Sequence, residues 1–154
     1  MEFIQLREGL NPKSNTKLQK KIDYFHKILD SLKAHNIPNS SVEFINHQLK
    51  EINEQQLDDK KLLQFMRKAQ VKIFQHLEKE LKLVRKGHYT MMWMPLGLGV
   101  FGVPLGIAFG FAISNLALLG IGLPIGMGIG IALGAGMDSK AAQKGQQLDL
   151  AIEN

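Results

Sequence analysis

Residues 91–137 read MMWMPLGLGVFGVPLGIAFGFAISNLALLGIGLPIGMGIGIALGAGM. No Asp, Glu, Lys or Arg occurs between Lys86 and Asp138. A helix crosses a bilayer with about 20 apolar residues, so the stretch has room for two crossings. Its polar break, Ser114-Asn115, falls near the middle. The pattern predicts a transmembrane helical hairpin, with spans over about 91–113 and about 116–137 joined by a tight turn. A soluble helix that is apolar all round needs a large protein around it, and the residues before this stretch are too polar to supply one. Lipid-exposed strands would have to close into a barrel, and one chain of this kind offers too few.

Glycine spacing gives the hairpin its detail. Span one carries Gly102, Gly106 and Gly110, and span two carries Gly122, Gly126, Gly130 and Gly134. Residues four apart lie on one helix face, so each series is a groove that another helix backbone can approach closely. In lipid, such packing replaces water expulsion as the force between helices. Glycine costs about 1 kcal/mol in a water-exposed helix interior, which implies that packing uses these positions. Gly120, Gly128 and Gly136 lie off the span-two groove. The segments Gly102-Val103-Pro104-Leu105-Gly106 and Gly122-Leu123-Pro124-Ile125-Gly126 also match each other, with a proline at the same place in each.

The run Met-Trp-Met-Pro-x-Gly at 92–97, the GxxxG series and Asp-Ser-Lys-Ala-Ala-Gln-Lys-Gly at 138–145 together resemble the small bacterial glycine-zipper membrane proteins. The resemblance covers about residues 92–148. It implies close helix packing, in homo-oligomeric pores and channels or in plain membrane anchors, and it supplies no catalytic residues.

Ahead of the hairpin the chain is basic and helical. Residues 1–86 hold 17 of the 19 basic residues and 11 of the 14 acidic ones. Thr16 with Gln19 and Ser40 with Glu43 fit capping boxes, which mark helix starts. Leu18, Ile22, Phe25, Leu29 and Leu32 form one apolar face, with the helix running to about 35. Val42, Ile45, Leu49 and Ile52 form a second. A third helix, N-capped by Asp58, has the seam Leu62, Met66, Ala69, Ile73, Leu77, Leu81 and Val84 and runs to about 86, where Gly87 breaks it. The expected class is all-α. A cytoplasmic three-helix amphipathic bundle (1–87) precedes the two-span hairpin (88–137) and a short cytoplasmic tail (138–154).

Lys79, Lys82, Arg85 and Lys86 precede span one, and Lys140 and Lys144 follow span two, while the turn carries no charge. Basic flanks favour the cytoplasmic side, which places both termini there in a multi-pass protein of a bacterial inner membrane. Tyr89 and Trp93, with Arg85 and Lys86, stand where interfacial anchors belong. The N-terminus lacks the apolar core of a signal peptide, so targeting is expected from the spans. Cysteine is absent, which excludes disulfides and thiolate metal sites. The five histidines form no metal-ligand spacing, no phosphate-binding loop occurs, and no cofactor or enzyme activity is expected. Lys60, Lys61, Arg67, Lys68 and Lys72 can form a basic stripe for anionic lipid; without interleaved aromatics, nucleic acid is a minor option.

The expectation for function is a glycine-zipper homo-oligomer, a pore or channel with a stress, toxin or defence role. The alternative is a membrane-anchored adaptor whose cytoplasmic helices bind a protein partner.

Overall fold

The computed structural model describes residues 2–6, 16–113 and 119–150. The fold is helical: α1 (Thr16–Lys33), α2 (Asn39–Glu54), α3 (Asp59–Leu81), α4 (His88–Gly97), a π-helical turn (Leu98–Gly102), α5 (Val103–Ala112) and α6 (Leu119–Gln143). Two short strands, β1 (Val84–Arg85) and β2 (Gln147–Leu148), pair with each other. Two compact units result, Met1–Val84 with Leu148–Glu153 and Arg85–Gln147 with Asn154.

In the first unit, α1, α2 and α3 bury their periodic apolar faces in one core. Phe25, Ile28, Leu32, Ile45, Leu49, Ile52, Met66 and Leu77 are fully enclosed. Leu148 and Leu150 belong to the same core. Of the segment expected as a short tail after residue 137, residues 138–143 continue α6, and Leu148 and Leu150 lie in this core. Residues 2–6 run along α2, with Leu6 buried. Asn46 Oδ1 accepts from Ile4 N–H at 2.8 Å, and its amide donates to Glu2 O at 3.2 Å. Asn53 Nδ2 donates to Gln5 O at 2.9 Å. Two asparagines two turns apart thus satisfy the backbone of an extended segment that has no helix or sheet of its own.

Several expected boundaries move. No capping box forms at Ser40 and Glu43. Pro38 precedes α2, and its carbonyl accepts from Ser41 N–H and Val42 N–H. Ser41 turns inward instead, where its hydroxyl pairs with His76 Nε2 at 3.0 Å, and His76 stacks on Phe44. Gln19 donates to Asp23 at 3.0 Å, one turn ahead, and does not fold back on the helix start. Asp58 is the N-cap residue of α3, without a side-chain cap hydrogen bond. The third helix stops at Leu81, short of residue 86. Lys82 takes a left-handed conformation at φ 57°, and Leu83 N–H bonds back to Leu77 O at 3.1 Å. Lys82 N–H also donates to Glu78 O at 3.2 Å, the single bond of an αL cap, with lysine where glycine is usual. Gly87, at φ 76°, then sets the corner before α4.

In the second unit the first apolar helix begins at His88, earlier than residue 91, and ends at Ala112; the second runs past residue 137 to Gln143. The Ser114-Asn115 turn lies outside the described residues. His88–Ala112 and Gly120–Gln143 are each long and apolar enough to cross a membrane. Only about a fifth of each apolar window is buried. Val100, Phe111, Ile113 and Ile121 are among the large apolar side chains left exposed. A core helix of a soluble protein would show the opposite proportion.

Candidate helix-packing site of the hairpin

The two long apolar helices meet glycine to glycine. Gly97, Gly102, Gly106 and Gly110 are buried on one side, and Gly122, Gly126, Gly130 and Gly134 on the other. A Cβ added to Gly97 would lie 2.5 Å from Gly126 O and 2.6 Å from Gly130 Cα. One added to Gly126 would lie 2.6 Å from Gly97 O and closer still to Gly102 N and Cα. Gly122 faces Gly102 and Gly106 in the same way, Gly130 faces Trp93 O, and Gly134 faces Thr90. Real Cβ atoms essentially never approach so closely, so backbone meets backbone along the whole antiparallel contact. Glycine is required here for want of space, not for its φ.

Gly97 breaks the spacing of four. It stands five residues before Gly102, and the π-helical turn at Leu98–Gly102 lies between them. A π turn takes one extra residue. It therefore brings Gly97 onto the Gly102–Gly106–Gly110 face, where strict four-spacing selects Leu98. Pro104 supplies the other half of the explanation. Its ring nitrogen cannot donate and its bulk crowds the preceding turn, which is relieved by the wider winding just before it.

The span-two series continues one step beyond glycine, to Asp138. Its carboxylate crosses to the start of α4. Oδ1 accepts from Tyr89 N–H at 3.0 Å; Oδ2 accepts from Thr90 N–H at 2.9 Å and from the Thr90 hydroxyl at 2.7 Å. Asp138 is buried. Tyr89 and Thr90 are the second and third residues of α4, whose N–H groups an N-cap side chain normally satisfies. The residue in the N-cap position is Gly87, which has no side chain. Asp138 thus caps α4 from the far end of α6 and places a negative charge at the positive end of the helix dipole. Gln147 Nε2 donates to Asp138 O at 3.4 Å, tying the end of α6 to the same place.

Tyr89 and Trp93 are half-buried, Arg85 is half-buried in β1, and Lys86 is exposed. Tyr89 serves the contact through its main chain. The Trp93 carbonyl lies against Gly130, and its enclosed indole N–H has no hydrogen-bond partner among the described residues. Sequence reasoning missed Gly97, Thr90 and Asp138. The signal for Asp138 was present, since 122, 126, 130, 134 and 138 form one unbroken series.

The first unit has a cleft of about 780 Å³ between residues 2–5 and the α1–α2 connection, lined by Glu2, Phe3, His26, Asp30, His35 and Ile37 among others. The Lys33 ammonium donates to Asp30 at 2.9 Å, and this bond with its charge holds the exposed Asp30 carboxyl below the usual range. His35 Nδ1 lies 3.0 Å from Ser31 O. Among the described residues no three His, Asp or Glu side chains converge as a metal site.

The molecule is thus an all-helical protein with two helices long and apolar enough to cross a membrane. Comparison with known proteins finds no matching family model, no matching curated protein and no matching solved structure.

Proposed function

We propose that the chain is an integral membrane protein whose glycine-packed hairpin associates with further copies into a homo-oligomer, and that the assembly forms a pore. The observation that carries this reading is the second face of α6. Its inner face, Gly122 to Gly134, is used up within the hairpin. Gly120, Pro124, Gly128, Ala132 and Gly136 repeat at four on the opposite side and are all exposed. Nothing lies within 4 Å of a Cβ added at Gly120, Gly128 or Gly136. Small residues at this spacing let a neighbour's backbone approach in lipid. A helix with one small-residue face for its own hairpin and another for the next copy can repeat the contact around a ring. A lining of glycine, alanine and main chain would gate by dewetting.

The outward face is tested by Gly128→Leu. The side chain enters open space, so the hairpin is expected to keep its stability while the particle size in mild detergent falls to that of a single chain. An unchanged particle would remove the outward face as an interface. Discrete conductance steps in planar bilayers are expected of the parent protein. A silent bilayer holding inserted protein would favour the adaptor reading, for which the separate helical unit with its own core is the support.

The basic flanks support a topology with both termini in the cytoplasm. In the cysteine-free chain, Ser139→Cys should react with an impermeant maleimide only from the cytoplasmic side, and Asn115→Cys only from the other. Reaction of both from one side would refute the two-span topology.

A further inference from the structure

From Lys60 to Leu77, α3 contains no Asp or Glu, while Lys60, Lys61, Arg67, Lys68 and Lys72 are all exposed. At 3.6 residues per turn, Lys60, Gln64, Arg67, Lys68, Val71 and Gln75 share one side, with Lys61 and Lys72 at its edge, opposite the buried Leu62, Met66, Ala69 and Ile73. Val71, near the middle, is 54% exposed. Lys61 has Asp58 at 3.8 Å. Among the described residues no ion pair engages Lys60, Arg67, Lys68 or Lys72. The half-buried Glu78 closes this side at its C-terminal end. The solvent side of α2 has the opposite sign, with Glu43, Glu51 and Glu54 against Lys50, itself 3.8 Å from Glu54. Charge is therefore sorted between two helices of one unit.

We propose that this cationic side of α3 docks on anionic lipid head groups of the membrane that holds the chain. The inference rests on the membrane reading above and adds a lipid-composition dependence to it. Six residues, 82–87, join α3 to the first apolar helix. Even fully extended they reach only about 20–25 Å, so the tether holds α3 at a high effective concentration of head groups. The cytoplasmic leaflet is anionic and attracts basic segments next to a span. Nucleic acid fits this side less well. Phe65 and Phe74 pack against the core, which leaves no aromatic platform for bases.

The test uses the full chain with Val71→Cys carrying an NBD fluorophore, reconstituted into phosphatidylcholine vesicles that contain a head-group spin label. Raising phosphatidylglycerol from none to about 30% should increase quenching, and about 0.5 M salt should reverse it. Each cation brought to such a surface is worth a factor of about five in partitioning. Exchanging Lys60, Arg67, Lys68 and Lys72 together for Gln should therefore lower the docked-to-free ratio several-hundred-fold and abolish the lipid response. Quenching that ignores phosphatidylglycerol, or survives the fourfold exchange, overturns the proposal. So does tight binding of a short DNA duplex that depends on the same four residues while the lipid response is absent. Extraction with alkaline carbonate separates the two claims. Protein that floats with phosphatidylglycerol vesicles but is removed by carbonate supports lipid docking and refutes the spans. Protein that resists carbonate without the lipid response refutes docking alone.

Discussion

Gly126→Leu is expected to open the hairpin. The added Cβ alone would lie 2.6 Å from Gly97 O and nearer still to Gly102. Every atom in its way is backbone, and a backbone cannot rotate aside as a side chain can. The helices must separate, and the contacts of Gly97, Gly102, Gly122 and Gly130 are lost together. Overpacking a core costs about 1–3 kcal/mol and occasionally more; with no soft neighbour the effect should reach about 3 kcal/mol or above. Individual dispersion contacts are worth only about 0.1–0.2 kcal/mol, so it is their simultaneous loss along the groove that matters. The measurement is the midpoint of SDS-induced unfolding, followed by Trp93 fluorescence. Gly128→Leu is the control, two residues away with open space around it, and its midpoint should match the parent's. Equal midpoints for the two variants would show that the glycine contact does not hold the hairpin. Because Gly126 faces its own chain's other span, its effect should persist at dilutions where any oligomer has dissociated.

The periodic signals were legible because they rest on spacing alone. Leu18, Ile22, Phe25, Leu29 and Leu32 repeat at three and four, and all are buried; Val42, Ile45, Leu49 and Ile52 behave likewise. The charge-free run and its glycine series marked two long apolar helices for the same reason. Spacing failed where the backbone leaves the regular helix. Gly97 was out of register by one residue because of the π turn. The end of α3 was hidden because Lys82 adopts a left-handed conformation with no glycine to announce it. Ser40 and Glu43 had the right separation for a capping box, but Pro38 already starts that helix, so the box had no terminus to cap. Asn46 and Asn53 stand outside the apolar series of their helix, and their amides serve the backbone of residues 2–6, more than forty positions away. Such long-range pairings leave no periodic trace.

Asp138→Ala is expected to loosen the other end of the hairpin. The carboxylate accepts three hydrogen bonds, two from main-chain N–H groups at the start of α4 and one from the Thr90 hydroxyl. Deleting it leaves Tyr89 N–H and Thr90 N–H without an acceptor in a part-buried place, and Gly87 has no side chain to offer one. Loss of an ordinary N-cap costs about 0.5–2 kcal/mol, and hydrogen bonds to a charged group are worth about 1.5–3 kcal/mol. Asp138→Ala should therefore cost about 2–3 kcal/mol. Asp138→Asn keeps one acceptor oxygen, loses the second and the charge, and should fall between alanine and the parent. Thr90→Val removes only the hydroxyl and should cost about 1 kcal/mol. The decisive quantity is the coupling in the Asp138→Ala/Thr90→Val cycle. If Asp138 acts through this contact, the double variant should be no worse than Asp138→Ala alone, because the hydroxyl has already lost its acceptor. Fully additive losses would mean that the two residues stabilise the hairpin independently, and that the cap reaching from α6 to α4 is not what joins its open end.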